Sequence, residues 1–228
     1  MKAMLLAAGR GERLRPLTDA VPKALVEAGG KPLIVWHLER LARAGFAEAV
    51  INVSHLGNRI VERVGDGARF GLRLRYSRER ERLETAGGIA NALALLGREP
   101  FLLVNADIYC ECDLARLRSI DLGGRGAPLL AHLVLVPNPR HRPAGDFPLA
   151  RGRVGNDPAP RYTYAGVAVM APALLAPVRP GEKAPLAPLL YDAAARGLLG
   201  GELYEGLWQD VGTVERLAEL EKFLRENR

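Results

Sequence analysis

Short apolar runs alternate with longer amphipathic stretches through the first half of the chain. Ala3–Ala8, Ala49–Val53, Leu72–Tyr76 and Phe101–Asn105 have the length and apolar character of buried or half-buried strands. Between them, residues 32–44 begin with a proline suited to a helix N-terminus and set Leu33, Trp36, Leu38 and Leu41 on one broad apolar face. Leu56–Val64 and Thr85–Leu96 predict the next two helices. This strand–helix alternation predicts an α/β fold, a mostly parallel central sheet with helices on both faces. Ligands of such a sheet lie beyond the carboxyl ends of its strands. The turn at Gly9 and the acid Asp107 both follow strands there, so the fold can bring them together.

The second half changes character. Pro137–Pro148 is rich in proline and charge and reads as a long excursion. Short strands are expected at Arg153–Val154 and Tyr162–Met170, a helix around Pro185–Arg196, and a final strand near Glu202–Glu205. The closing helix spans Thr213–Asn227, with Thr213 as its cap. No internal repeat is visible. The expectation is one domain over residues 1–228, with residues 1–110 as one half and residues 111–228 as the other.

Composition narrows the function. The 228 residues are 48% hydrophobic and 25% charged, which is ordinary for a globular protein. No apolar run approaches the ~20 residues needed to cross a bilayer, and Leu5–Gly9 is too short for a secretory signal. A cytoplasmic protein without membrane partners is expected. The net charge of +6 is spread among interleaved acids, as in Ser77–Arg82, and aromatic residues are only 6% of the chain. That pattern argues against nucleic acid and for a small anionic substrate. The two cysteines, Cys110 and Cys112, supply at most two metal ligands with no histidine at zinc-site spacing, and are read as reduced thiols. His37 stands beside the apolar face of its helix and is assigned to packing.

The N-terminal turn carries the chemistry. Gly9 and Gly11 free backbone N–H groups for an anion, and Arg10, Arg13, Arg15 and Lys23 add positive charge, a combination suited to a triphosphate. The position that a dinucleotide fold needs as its third glycine is Leu14, and no Gly-Lys-Ser or Gly-Lys-Thr of a P-loop occurs. Ala8-Gly9-Arg10-Gly11-Glu12-Arg13-Leu14-Arg15-Pro16-Leu17-Thr18, followed by Pro22-Lys23, resembles the signature of the sugar-1-phosphate nucleotidyltransferases. The likeness extends over nearly the whole chain. Many relatives append a C-terminal β-helix, and none is expected in these residues.

The resemblance implies a reaction and a set of roles. A sugar-phosphate oxygen attacks the α-phosphorus of a nucleoside triphosphate and releases pyrophosphate. The nucleophile is already an anion, so the catalyst has to position and screen charge rather than remove a proton. Arg13 occupies the family's phosphate-stabilising arginine, and Lys23 its phosphate-binding lysine; these are the expected catalytic residues. Asp107 and, in Leu207–Thr213, Asp210 match the two ligands of a Mg²⁺ ion. Ala8, Gly9, Gly11, Glu79, Glu84, Thr85 and Gly88 would surround the nucleotide with Arg13, and Gly87 lets the chain approach. Gly145, Tyr164 and Gly166 would line the sugar. Arg10 and Arg15 read equally well as solvated; Lys183 is a candidate to meet the sugar phosphate or a lactyl carboxylate, but reads better as a surface residue.

Glu79 bears on the base. A carboxylate only accepts hydrogen bonds, and uracil, thymine and guanine each present a ring N–H. If Glu79 touches the base, UTP, dTTP or GTP is favoured over ATP or CTP; its other reading is a solvated charge run, Arg78–Arg82. Likeness at Met1–Met4, Leu83–Gly88 and Leu102–Asp107 makes UTP with N-acetylmuramate 1-phosphate the leading pair, a substrate of cell-wall recycling. GTP with mannose 1-phosphate, or dTTP or UTP with glucose 1-phosphate, keeps the same chemistry. A non-catalytic nucleotide-sugar-binding subunit is the rival from another class, opposed by the presence of Arg13, Lys23, Asp107 and Asp210 together. A monomer or small homo-oligomer is expected.

Overall fold

The computed structural model describes residues 1–124, 128–155 and 160–227. The chain begins with β1 (Ala3–Leu6) and α1 (Leu17–Ala20), then the two-residue strands β2 (Glu27–Ala28) and β3 (Lys31–Pro32). There follow α2 (Leu33–Arg43), β4 (Glu48–Val53), α3 (Gly57–Val64), β5 (Arg73–Arg78), α4 (Glu84–Leu96) and β6 (Phe101–Asn105). The second half contains β7 (Ile108–Cys110), α5 (Leu114–Arg118), β8 (Ala131–Val136), β9 (Phe147–Ala150), β10 (Arg153–Val154) and β11 (Arg161–Met170). It closes with α6 (Ala187–Ala195), β12 (Leu199–Leu203), β13 (Trp208–Asp210) and α7 (Val214–Glu226).

Nine strands form the central sheet in the order β5-β4-β1-β6-β11-β8-β12-β10-β9. The first four are parallel, as the strand–helix alternation predicts. Beyond β6 the sheet is mixed: β11 runs antiparallel to both β6 and β8, while β8 and β12 are parallel. At the far edge the antiparallel pairing of β9 and β10 has a local cause. Arg151 and Gly152, with φ of 51° and 74°, make the tight turn that joins β9 to β10, and strands joined by so short a turn must be antiparallel.

Alternate residues of the central strands feed two cores. Ala3, Leu5, Leu102 and Val104 pack with Leu38 and Leu41 of α2, Ile60 of α3 and Leu117 of α5. Met4, Phe101 and Leu103 point the other way, toward Ile89 of α4 and Leu190 of α6. Helices therefore cover both faces. Leu33 and Trp36 depart from the expected face of α2. They join a third cluster with Val211 and Leu220, Trp36 standing edge-on to Tyr109 at 5.5 Å. The strand expected near Glu202–Glu205 is Leu199–Leu203, because Gly200 and Gly201 belong to it, and β13 follows it as the last strand among the described residues. A Cβ at Gly201 would lie 2.6 Å from Val154 Cγ2, so β10 packs where a side chain would stand. Cys110 and Cys112 are buried free thiols.

Two features position the site. β1 lies between β4 and β6, the point where the parallel strand order reverses and a crevice opens beyond the strand ends. Separately, β7 pairs with β13 outside the main sheet, setting Asp210 opposite Ile108, the neighbour of Asp107.

Candidate active site

The Gly9 turn leaves β1 into that crevice. Gly11, at φ 67°, caps a short 3-10 turn over Glu12–Leu14. A side chain on Gly11 would meet Thr18 Cγ2 at 2.9 Å and Lys23 Cβ at 3.0 Å, and Thr18 Oγ1 donates to the Gly11 carbonyl at 2.8 Å. Gly11 thus shapes the turn. Gly9 has no protein atom within 4 Å of where its Cβ would be, so the open space there belongs to whatever the crevice binds.

Three adjoining cavities share walls beyond the strand ends. The first, of about 160 Å³, is lined by Ala8, Gly9, Asn52, Glu79, Glu84 and Thr85, together with Asn105 and Asp107. The second, about 180 Å³, holds Arg13, Asp107, Asp210, His141, Tyr164 and Gly166. The third, about 270 Å³, runs from Thr85 and Asn105 to an apolar wall that includes Phe147, Leu186 and Tyr191. Asn105 at the end of β6 touches all three, and its side-chain amide has no hydrogen-bond partner among the described residues.

Lys23 is no surface lysine: its side chain is 10% exposed and its Nζ stands 2.5 Å from Asp107 Oδ2. Arg13 is exposed and reaches over Gly212, where a Cβ would be 2.9 Å from its Nη2 and 2.8 Å from Asp210 Oδ1. Arg15 does not join this group; it pairs with Asp19 one turn along, in solvent. Arg10 lies exposed outside the three cavities.

Asp107 and Asp210, 103 positions apart in sequence, line one cavity because β7 and β13 pair and the Val211 N–H donates to the Asp107 carbonyl at 2.9 Å. Arg216, in the first turn of α7, donates to Asp210 Oδ2 at 2.6 Å and to His141 Nε2 at 2.9 Å. Thr213 caps that helix by accepting the Arg216 N–H, as expected. Among the described residues no group of three or more His, Cys, Asp and Glu is placed to hold a metal. Asp107 and Asp210 both line the second cavity, each with its Oδ2 paired to a cation, Lys23 and Arg216. One or two carboxylates, with water and substrate phosphate completing the shell, are the usual holders of Mg²⁺.

Glu79 is buried, which removes it from the solvated run Arg78–Arg82. Asn52 Nδ2 donates to its Oε1 at 2.6 Å, the Leu83 N–H to its Oε2 at 3.3 Å, and Asn52 Oδ1 accepts the Ala7 N–H. Burial pushes its carboxyl above the usual range against those donors. Gly88 allows this packing, since a Cβ there would meet Glu79 Oε1 at 2.6 Å. Gly87 approaches the 182–184 segment, donating to the Ala184 carbonyl, while Lys183 itself is exposed. Glu84 adopts φ 60° at the start of α4, an uncommon conformation for a residue with a side chain, and it lies on the wall of the first cavity.

On the second half's side, Gly166 has φ 77° and lets Asn105 approach within 2.7 Å of the vacant Cβ position. Tyr164 lines the second and third cavities, but its hydroxyl is enclosed and unpartnered, and burial raises its pKa. Gly145 is not on these walls. Its Cβ position, at φ 63°, lies 2.7 Å from Asn138 Oδ1, so loop packing accounts for the glycine. Sequence reasoning missed Asn52, Asn105, His141, Arg142, Asp146 and Arg216. Asn105 alone had a local signal, a polar residue closing an apolar strand; the others are tied to the site by tertiary contacts.

The model of the nucleotidyl transferase family matches residues 2–120. The chain is 46% identical to N-acetylmuramate alpha-1-phosphate uridylyltransferase of Neisseria meningitidis serogroup B, over 96% of each protein. It is 36% identical to the protein of that name from Caulobacter vibrioides, over 98% of this chain and 97% of the relative. Its fold is that of the crystal structure of UDP-glucose pyrophosphorylase complexed with UDP-glucose, with a TM-score of 0.77 at 19% identity over 100% of this chain and 99% of the other. The Gly9 turn, the crevice at the strand reversal and these likenesses agree: the chain belongs to the nucleotidyl transferases, the family that transfers nucleotidyl groups to sugar 1-phosphates.

Proposed function

We propose that this chain transfers the uridylyl group of UTP to N-acetylmuramate 1-phosphate, giving the UDP-sugar and pyrophosphate. The observation that carries the reading is the joining of a buried hydrogen-bond acceptor, Glu79, to a crevice that holds Arg13, Asp107 and Asp210, with Lys23 paired to Asp107. A carboxylate held by Asn52 and Leu83 suits the ring N–H of uracil, and such a donor offsets the cost of keeping Glu79 charged in a buried place. The close likeness to two N-acetylmuramate alpha-1-phosphate uridylyltransferases supports the sugar.

In this reading the Gly9 turn and Arg13 hold the triphosphate, and Arg13's planar fork meets phosphate oxygens as charge shifts toward the leaving pyrophosphate. Lys23, nearly buried and already oriented by Asp107, meets a phosphate without loss of much side-chain freedom. Asp107 and Asp210 would hold Mg²⁺, which when bound screens the repulsion between the two anionic substrates. Asn105 offers an uncommitted amide where the three cavities meet.

The test is pyrophosphate release measured over a matrix of UTP, dTTP, GTP, ATP and CTP against N-acetylmuramate, N-acetylglucosamine, glucose and mannose 1-phosphates, with Mg²⁺ and with chelator. The highest kcat/KM is expected for UTP with N-acetylmuramate 1-phosphate, and none with chelator. A maximum at another base or sugar replaces this substrate pair, and full turnover in chelator removes the metal assignment.

A further inference from the structure

The third cavity has an apolar side and a charged side. Phe147, Leu186, Leu190 and Tyr191 form the first; Arg142 and Asp146 belong to the second, and Arg142 is the one cation among the described residues on this wall. Arg142 also lines the neighbouring cavity that contains Asp107 and Asp210. It therefore stands between the apolar wall and the cavity that also holds Arg13.

The guanidinium is held in an unusual way. Its Nη1 alone donates to both oxygens of Asp146, at 2.8 and 2.9 Å. Asp146 is itself tied to β11, because its Oδ2 accepts the Tyr164 N–H at 2.8 Å. The Nε–H and Nη2–H of Arg142, which lie side by side along the other edge of the planar group, have no partner among the described residues. That edge is the one that grips a carboxylate through two parallel hydrogen bonds. Arg142 is thus anchored through one nitrogen on the wall shared by two cavities, its side chain 56% exposed, and it keeps two donors for a planar anion.

N-acetylmuramate differs from N-acetylglucosamine by a lactyl ether that ends in a carboxylate. We infer that Arg142 determines sugar specificity by gripping the lactyl carboxylate through Nε and Nη2, with Asp146 holding it in place. The inference rests on the N-acetylmuramate reading above and adds a residue to it. Methyl groups of the same sugar suit the apolar side formed by Phe147 and Leu186.

The experiment compares wild type, Arg142→Ala, Arg142→Lys and Arg142→Gln on N-acetylmuramate 1-phosphate and N-acetylglucosamine 1-phosphate at saturating UTP. Calorimetric binding of the two corresponding UDP-sugars is measured alongside. Loss of a charge-assisted pair of hydrogen bonds should lower the wild-type preference for the acidic sugar roughly ten- to a hundred-fold in Arg142→Ala, mainly through KM. Arg142→Lys should keep part of the preference, because it retains the charge without the fork. Arg142→Gln, closest in shape among the uncharged choices, should behave as Arg142→Ala and guards against a folding defect in the smaller variant. Equal losses on both sugars in every variant would show that Arg142 only braces Asp146 and β11, and would overturn the inference. A wild type that does not prefer the acidic sugar would overturn the N-acetylmuramate reading itself, whereas a preference that survives in all three variants overturns only the assignment to Arg142.

Discussion

Acid should unfold this protein earlier than its carboxylates alone require, and His37 is the reason. His37 lies on α2, 2% exposed, with its Nε2 2.9 Å from the Ile108 carbonyl. A carbonyl only accepts, so Nε2 carries the proton and donates; Nδ1 is enclosed with no partner. Among the described residues no group accepts a bond from Nδ1. Burial, and next the charge of Arg40, lower the pKa from 6.5 to about 4, against the smaller opposing effects of Ile108 and Asp107. The unfolded chain binds a proton at His37 as pH falls through 6.5, while the folded chain does not until about pH 4. Stability is thus fully present above the unfolded pKa and is lost on the way down to the folded one. Each pKa unit is worth about 1.4 kcal/mol, so the full loss is about 3 kcal/mol, a large part of the ~5–15 kcal/mol that holds a typical domain.

The assay is urea unfolding followed by circular dichroism between about pH 7.5 and about pH 4.5, for wild type and His37→Leu. At neutral pH the variant should be less stable by about 1–3 kcal/mol, because the buried Ile108 carbonyl loses its donor. Toward acid the wild type should fall and the variant should not share that fall, so the two curves converge. Glu79, whose raised pKa acts in the opposite sense, is present in both proteins and cancels in the difference. Parallel curves over the whole range would refute the reasoning. The site would feel the same change, since Ile108 follows Asp107 and pairs with Asp210.

Three further outcomes are expected. Arg13→Ala should lower kcat on the order of a hundredfold or more with little change in KM, because its contribution is to charge that develops in the transition state; steady-state rates with near-normal kcat would make Arg13 a binding residue only. Glu79→Gln should retain UTP binding, since a rotated amide still accepts the ring N–H, and Glu79→Leu should weaken it several-fold or more; equal calorimetric affinities would show that Glu79 does not read the base. Tyr164→Phe should leave stability unchanged or raise it by about 1 kcal/mol, because the enclosed hydroxyl has no partner to lose; a lowered urea midpoint would reveal one.

How much of this was legible in the sequence follows from how each residue is held. The parallel half could be read because its central strands are covered on both faces and appear as unbroken apolar runs. Ala131–Val136 is an equally apolar strand at the centre of the second half, yet it is not among the strands expected from the pattern; the helix before it, α5, is only five residues long and leaves too short a period to read the alternation that marks the others. β7 and β13 are three residues each and pair only with one another, leaving no periodicity to detect. Arg13, Lys23 and Asp107 could be placed because motif residues stand at fixed distances along the chain from a turn or a strand end. Arg15 carries the same motif and still turns to Asp19, since its position in the sequence does not fix the direction of its side chain.

Glu79 shows why the remainder needed the fold. In sequence it sits inside Arg78–Arg82 and has every mark of a solvated charge. Its burial comes from the end of β5, where the Glu79 N–H extends the ladder to the Val53 carbonyl and α4 begins a few residues on, with Gly88 leaving room for the carboxyl. Its partner Asn52 comes from the end of β4 and also holds Ala7 at the end of β1, so one amide ties three strand ends to the same cavity. Arg216 and Arg142 are similar cases: one reaches Asp210 from the first turn of α7, the other is held by an acid anchored to β11. In the proposed reading the phosphates are met by a short loop and that part is written locally. The base and sugar would be met by strand ends and loops distant in sequence, so that part becomes visible only when the sheet brings them side by side.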